Sequence, residues 1–477
     1  MTTVDEVIKA VEAGPSGPRI GAFFDLDGTL VQGYTAGTFY SEWVRRGQLA
    51  PGDLAKMLIS AIDGSALGGD PKKITGGALS ALKGRNADEQ IEMGERLFVQ
   101  KIAGTIRPEA RQLVRAHLRK GHTVAVASAA TRAQIEPLAR DLGISEVLCT
   151  ELGVANGIFT GESPTGILWG EGKASAVRKY ARTKQLDLRA SHAYANGQED
   201  IAFLASVGHP NALNPHPALR QAAADYGWPV LNLREPRSPG LRSYLGTVGM
   251  LVGLNAGFGV GAAVGLLNRD RQRGANAAIS VGTDIGLKLA GISLDVIGEH
   301  NLTKARPAIF IGNHTSALDP VIVFALLRRD ITAVGKIEAK NDPRTILFNT
   351  LLAPAFVDRG NTAQARAALD KVVERVKDGT SIVIFPEGTR TPTPVLAPFK
   401  KGAFHMAMQA GVPIVPIVLR NAGELMWRQS AVVNPGTVEV CVLDPIPTDE
   451  WTVETLDQRV AEVRQLFADT LDKWPER

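Results

Sequence analysis

Asn313-His314-Thr315-Ser316-Ala317-Leu318-Asp319 follows a short apolar run and opens a helical stretch. A neutral imidazole near pH 7 is a good base for an alcohol proton. A carboxylate on its far ring nitrogen fixes the tautomer and stabilises the imidazolium that forms. His314 and Asp319, five apart across a turn, can meet in this way. Farther on, Phe385-Pro386-Glu387-Gly388-Thr389-Arg390 sits at a strand end. Its glycine permits close backbone approach, and Arg390 can hold a phosphate bidentately. Phe356-Val357-Asp358-Arg359 offers another guanidinium. In the first half, Asp25-Leu26-Asp27-Gly28-Thr29-Leu30 closes a second apolar run. One carboxylate there could attack phosphorus, and the other, two residues on, could protonate the leaving oxygen and then activate water. Mg²⁺ would have to offset the repulsion between carboxylate and phosphate.

These residues need elements to position them. Arg19 to Phe24, His122 to Ala127 and Ala193 to Ala195 read as buried strands separated by helical stretches, which predicts βαβ units and a parallel sheet. The helical insertion at about 33–105 would cap the sheet's carboxyl edge. Pro229, Pro236 and Pro239, with Arg234, Arg237 and Arg242, mark a basic linker. Tyr244 to Leu267 then carries no charged side chain, and as a helix it would be roughly 36 Å long, enough to cross a hydrocarbon core. Gly249, Gly253, Gly257, Gly261 and Gly265 recur every fourth position, a groove that predicts a closely packed helix partner such as a second copy of this chain. Arg269, Arg271 and Arg273 follow. Beyond them, 277–290 reads as an amphipathic helix with Asp284 and Lys288 paired. Strands are predicted at 292–297, 308–311, 331–334, 381–385, 414–419 and 438–443, and helices at 362–377, 402–409 and 453–474. Ser316 reads as a turn-forming hydroxyl and His405 as a packed helix residue. Lys400 and Lys401 suit either a solvated face or an anionic ligand.

With 477 residues the chain is too long for one ordinary core. We divide it into an N-terminal segment (1–17), a first domain (18–232), a linker with the apolar helix or hairpin (233–275), and a second domain (276–477). A hydrophobic fraction of 44% and a charged fraction of 21% describe a globular protein. The net charge of +4, with no basic stretch interleaved with aromatics, argues against nucleic acid. Cys149 and Cys441 form no metal spacing and suit a reducing, cytosolic setting. The first twenty residues lack an apolar run and do not read as a signal peptide.

The blocks at 313–319, 356–359, 385–390 and Val412-Pro413-Ile414-Val415-Pro416-Ile417 together resemble the glycerolipid acyltransferases, most closely the 1-acylglycerol-3-phosphate acyltransferases, across about 292–420. The resemblance implies His314 as general base and Asp319 as its orienter. It implies Arg359, Glu387, Gly388, Thr389 and Arg390 as contacts to the acceptor's phosphate, with acyl-CoA or an acyl-carrier protein as donor. Thr391 stands where that family often has Ser. The 25–30 hexapeptide resembles the haloacid-dehalogenase-type hydrolases, closest to the branch with phosphoserine phosphatases and a helical cap, over about 20–231. That resemblance implies Asp25 as nucleophile, Asp27 as acid and base, Ser128 and Lys173 as phosphate contacts, and Asp25, Asp27, Asn196 and Asp200 as the Mg²⁺ set. Here Asn196-Gly197-Gln198-Glu199-Asp200 departs from the family's Asp-led block, so weak Mg²⁺ binding and slow or absent turnover are expected.

The combined expectation is an α/β chain with a Rossmann-like hydrolase domain, a membrane-associated helical linker and an α/β acyltransferase domain. It would acylate lysophosphatidate or a related lysophospholipid at the cytoplasmic face of the membrane. The competing expectation is a phosphomonoester phosphatase whose second half serves as a lipid anchor.

Overall fold

The computed structural model describes residues 2–48, 82–236, 238–336, 355–357 and 373–475. The expected cap centre, Arg359 and most of the helix predicted at 362–377 lie outside the described residues. The chain divides into two compact units, Met1–Pro236 and Arg237–Arg477.

In the first unit, α1 (Val4–Ala13) precedes β1 (Gly21–Phe24). Next come α2 (Thr35–Arg45), α3 (Ala87–Gln100) and α4 (Pro108–Arg119), then β2 (Thr123–Thr131). They lead to α5 (Arg132–Leu142), β3 (Glu146–Thr150) and a small hairpin of β4 (Val154–Ala155) and β5 (Ile158–Phe159). The unit closes with α6 (Glu171–Lys184), β6 (His192–Ala195), β7 (His209–Leu213), α7 (Pro217–Tyr226) and β8 (Val230–Leu231). Six strands form one parallel sheet in the order β3-β2-β1-β6-β7-β8. All of β1 is buried because successive side chains enter different cores: Ala22 and Phe24 one, Phe23 the other. Three sheet strands escape the sequence reading. β7 reads His-Pro-Asn-Ala-Leu, and its proline and amide hide the apolar run that marks a central strand. β8 has only two residues, and β3 reads Glu-Val-Leu-Cys-Thr, half-buried over its first three residues and polar at both ends, so neither shows the apolar run of a buried strand.

The second unit opens with α8 (Leu241–Asn268) and α9 (Arg271–Ala290). These lead into β9 (Ile292–Ile297) and β10 (Ile309–Gly312), α10 (Asp319–Leu327), β11 (Ile331–Lys336) and β12 (Ala355–Val357). β13 (Ser381–Ile384), α11 (Gly402–Ala410), β14 (Ile414–Leu419), β15 (Gly436–Val442) and α12 (Leu456–Asp472) complete it. The seven-stranded order is β12-β11-β13-β10-β14-β15-β9, with β14 and β15 antiparallel and the other pairs parallel. β10 alternates as β1 does: Phe310 faces one core, Ile309 and Ile311 the other.

α8 and α9 form a hairpin whose seam is glycine. A Cβ on Gly253 would lie 2.5 Å from the Gly286 nitrogen, on Gly257 2.3 Å from the Gly282 Cα, and on Gly261 2.5 Å from the Ala278 Cβ. The closely packed helix partner expected at this groove is the chain's own return helix. The hairpin belongs to the second unit instead of standing as a separate 233–275 linker. Ser243 Oγ donates to Asn434 Oδ1 (2.8 Å), Val433 N to Thr247 Oγ1 (2.9 Å) and Asn276 Nδ2 to Asp330 Oδ1 (2.9 Å). α9 begins six residues before the expected 277, capped by Asp270. The expected Asp284–Lys288 pair is replaced by a bidentate bond from Arg328 to Asp284 (2.9 and 2.7 Å), since guanidinium geometry matches a carboxylate better than an ammonium on the same helix. The outer face of α8 leaves Tyr244, Leu245, Val248, Leu251, Val252 and Val260 exposed. Among the described residues α8 is the one helix long and apolar enough to cross a membrane.

Candidate active sites

In the second unit, the carboxyl end of β10 delivers Asn313 and His314. Asn313 fastens the exit to β14: its Nδ2 donates to Leu419 O and its Oδ1 accepts from Leu419 N, both at 2.8 Å. The chain then turns so that Asp319 opens α10, with Pro320 in the first turn. Asp319 is fully buried. Its Oδ2 accepts from His314 Nδ1, Thr315 N and Ser316 N, each at 2.8 Å. The same Asp319 oxygen already accepts from two backbone N–H groups, so it faces His314 as an acceptor and Nδ1 is the donor that carries the imidazole proton. Nε2 is left with its lone pair. It makes no hydrogen bond among the described residues, and the side chain is 18% exposed. Phe385 stacks on the ring at 4.3 Å and 24°.

The Phe385–Arg390 loop wraps this turn. Glu387 accepts from His314 N at Oε1 (2.7 Å) and from Ala397 N at Oε2 (2.8 Å). It is 3% exposed, so neither oxygen is presented to a ligand, and its charge would repel a phosphate. The expected phosphate contact at Glu387 is thus corrected to a positioning role. Burial pushes its pKa up to about 7, against the pull of the Ala397 and His314 amides. Arg464 on α12 donates to Leu396 O (2.6 Å) and Ala397 O (3.2 Å), bracing the far side of that carboxylate. Gly388 has φ +72°. Thr389 is exposed and Arg390 half-buried at the rim. Thr391 holds the His314 carbonyl through its N (2.8 Å) and Oγ1 (3.2 Å), which no spacing in the sequence announces. Ser316 donates to Met426 O (2.6 Å) and accepts from Leu318 N (3.1 Å), a turn hydroxyl. His405, read as packed, is exposed on α11, and Lys401 pairs with Asp457.

In the first unit, β1 ends at Asp25, whose N–H donates to Tyr194 O on β6 (2.9 Å). Gly28 turns the loop at φ +77°, where a Cβ would strike the Asn196 amide at 2.2 Å. The sheet's carboxyl edge brings together Asp25, Ser128, Lys173, Asn196 and Asp200. Lys173 Nζ lies 2.8 Å from Asp25 Oδ1 and 2.5 Å from Asp200 Oδ1. Burial pushes its pKa down, but the charges of Asp200 and Asp25 outweigh that and hold the ammonium. Thr29 Oγ1 donates to Asn196 Oδ1 (3.1 Å). Ser128 is buried and accepts from Ala130 N (3.2 Å). Asp27 is turned away from this group, its two oxygens accepting from Thr35 N (2.8 Å) and Thr35 Oγ1 (3.3 Å). Its carboxylate therefore leaves the expected metal set. Burial raises its pKa to about 7, which suits a group that gives and takes a proton near neutrality.

Two carboxylates and one amide oxygen remain for a cation. Asp200 Oδ2 is buried with no hydrogen-bond partner, an atom that a cation or its water would satisfy. Among the described residues no three His, Cys, Asp or Glu side chains are placed to hold a metal ion. The set thus fits Mg²⁺ with one negative charge fewer than a three-carboxylate site.

Residues 22–205 match the model of the haloacid dehalogenase-like hydrolase family, and residues 293–420 that of the acyltransferases. The chain is 37% identical over 186 residues to a 1-acyl-sn-glycerol-3-phosphate acyltransferase of Saccharomyces cerevisiae, covering 38% of this chain and 61% of that protein. It is 36% identical over 185 residues to one of Limnanthes alba, covering 38% and 65%. It is 32% identical over 256 residues to phosphoserine phosphatase SerB1 of Mycobacterium tuberculosis, covering 53% of this chain and 81% of that protein. The match thus spans somewhat under two thirds of either acyltransferase relative.

Proposed function

We propose a lipid-acylating role for this chain, which belongs to the haloacid dehalogenase-like hydrolases and carries an acyltransferase domain behind them. The second unit moves a fatty acyl group from the thioester of acyl-CoA or an acyl-carrier protein to the free hydroxyl of lysophosphatidate or a related lysophospholipid. The observation that carries this reading is the 2.8 Å bond from His314 Nδ1 to buried Asp319, which leaves Nε2 as a base beside the Arg390 loop. Nε2 takes the alcohol proton as the oxygen attacks the thioester carbon. The tetrahedral intermediate collapses, the C–S bond breaks, and the thiolate leaves with the proton returned from the imidazolium. Arg390, Thr389 and the Gly388 backbone receive the acceptor's phosphate, and no acyl-enzyme forms.

The hairpin's exposed apolar face suits the bilayer surface on which such an acceptor resides. Arg242 stands at one end of α8 and Arg269, Arg271 and Arg273 at the other. Driving those guanidiniums through hydrocarbon would cost about 3 kcal/mol each, so the hairpin lies in the interface of the cytoplasmic leaflet with its arginines on headgroups.

The pairing of Lys173 with Asp25 and Asp200 favours a second chemistry in the first unit, slow hydrolysis of a phosphomonoester. Asp25 attacks phosphorus, Asp27 protonates the leaving oxygen, and Asp27 then takes a proton from the water that opens the aspartyl-phosphate. Asp25, Asn196 and Asp200 would hold Mg²⁺, which would offset the charge between nucleophile and phosphate.

One experiment separates the two. Purified full-length protein is given acyl-CoA with lysophosphatidate, and separately a chromogenic phosphomonoester with Mg²⁺. His314→Ala is expected to lower acyl transfer by about 10²- to 10⁴-fold and spare hydrolysis, and Asp25→Asn to do the reverse. Acyl transfer that survives His314→Ala would overturn the assignment.

A further inference from the structure

The segment after β14 brings a residue to the acyl-transfer site that no motif marks. Met426 O accepts from Ser316 Oγ (2.6 Å), inside the His314–Asp319 turn. Trp427 Nε1 donates to Pro392 O (3.3 Å), two residues past Arg390. Met426 and Trp427 are thus tied to both walls of the site, and the next residue is Arg428. Both Arg390 and Arg428 are half-buried, and neither makes an ion pair or hydrogen bond among the described residues. They are close enough to repel: burial, then the charge of Arg390, lowers the pKa of Arg428. Elsewhere in this unit the guanidiniums of Arg328 and Arg420 meet carboxylates, Asp284 and Glu439. Two like charges that meet no counter-charge among the described residues cost stability unless a ligand supplies one.

Resting on the acyltransferase reading above, we infer that Arg428 and Arg390 together form a site for a phosphomonoester dianion, with Arg428 the second cation. A phosphomonoester has close to two negative charges and three acceptor oxygens, so it can serve two guanidinium forks at once, whereas a phosphodiester has one charge and two free oxygens. Arg428 thereby makes the site prefer a terminal phosphate. Two substrates of this reaction could bring one: the acceptor, as lysophosphatidate, and the donor, through the 3′-phosphate of coenzyme A.

The test is steady-state kinetics on the full chain with Arg428→Gln and Arg428→Lys. Lysophosphatidate is compared with lysophosphatidylglycerol as acceptor, and acyl-CoA with acyl-dephospho-CoA as donor. Arg428→Gln is expected to raise KM for lysophosphatidate tenfold or more while kcat and the diester KM change less than twofold. Arg428→Lys should recover most of the loss, which a merely structural arginine would not do. If KM instead rises for acyl-CoA and not for its dephospho form, the same site stands and its phosphate is the donor's. Unchanged constants, or an equal loss for monoester and diester and for both donors, overturn the inference. Should wild type acylate nothing, the functional reading fails by itself. Calorimetric binding of lysophosphatidate to wild type and Arg428→Gln then decides Arg428 alone: tenfold weaker binding sustains the site, equal binding overturns it.

Discussion

At the residue scale, the His314 backbone is held from behind by a buried carboxylate. Glu387 bonds the His314 amide on one side and the Ala397 amide on the other, with Arg464 bracing the Ala397 carbonyl. Glu387→Gln keeps the shape but turns an NH₂ toward one of those two donors. Leaving a buried donor unpaired costs about 1–3 kcal/mol, and the shifted His314 should also slow acyl transfer. The pH dependence has a definite sign. The folded pKa, about 7, lies above the ordinary 4.5, so the folded state binds the extra proton between those values. The stability this contributes is complete below about 4.5 and is lost as pH rises through about 7. The wild-type advantage over Glu387→Gln in thermal melts should therefore shrink between about pH 5 and about pH 8. A gap constant with pH would mean that Glu387 does not titrate in this window.

At the element scale, the α8–α9 seam works because both helices present glycine or alanine where they cross, so backbones approach as in membrane helix pairs. Gly257 and Gly259 lie two residues apart and make opposite predictions. A Cβ on Gly257 meets the Gly282 backbone at 2.3 Å, whereas one on Gly259 meets nothing within 4 Å. Gly257→Leu should destabilise the second unit by about 1–3 kcal/mol or more through overpacking. Gly259→Leu should be neutral or gain up to about 1 kcal/mol of helix propensity. Thermal melts of the two variants in one detergent decide it, and equal melting points would sink the packed hairpin. α9 continues into β9, and Asn276 is bonded to Asp330 just past α10, so the hairpin is braced against the helix that carries Asp319.

At the scale of the whole molecule, a haloacid dehalogenase-like domain and an acyltransferase domain share one chain, and the second unit carries the long apolar helix α8. The apolar face of α8 and the arginines at its ends should contribute to vesicle binding in different ways. Replacing Leu245, Val248 and Val252 with Ser should abolish flotation with neutral and partly anionic vesicles at any salt. Replacing Arg269, Arg271 and Arg273 with Gln should weaken only anionic binding, and the difference should fade as salt shortens the Debye length. Flotation that persists in the serine variant would show that α8 is not the attachment.

Local chemistry decides much of this protein without any tertiary contact. Apolar runs ending at Asp25 and Asn313 had to be buried strands that deliver polar residues to a sheet edge, because the side-chain period of two and the need to pair backbone groups leave little choice. The five-residue span from His314 to Asp319 lies within one turn, so sequence alone could bring them together. The long apolar stretch was likewise legible as a helix, because its length and lack of charge need no partner to be recognised. Contacts between residues distant in the chain were not legible. The inward turn of Glu387 onto the His314 amide, the filling of the glycine groove by α9, the pairing of Asp284 with Arg328 and the approach of Arg428 to Arg390 depend on chain crossings tens of residues apart. Spacing carries no trace of such meetings, since hydrogen-bond geometry and close packing select them only once the sheet has ordered its strands.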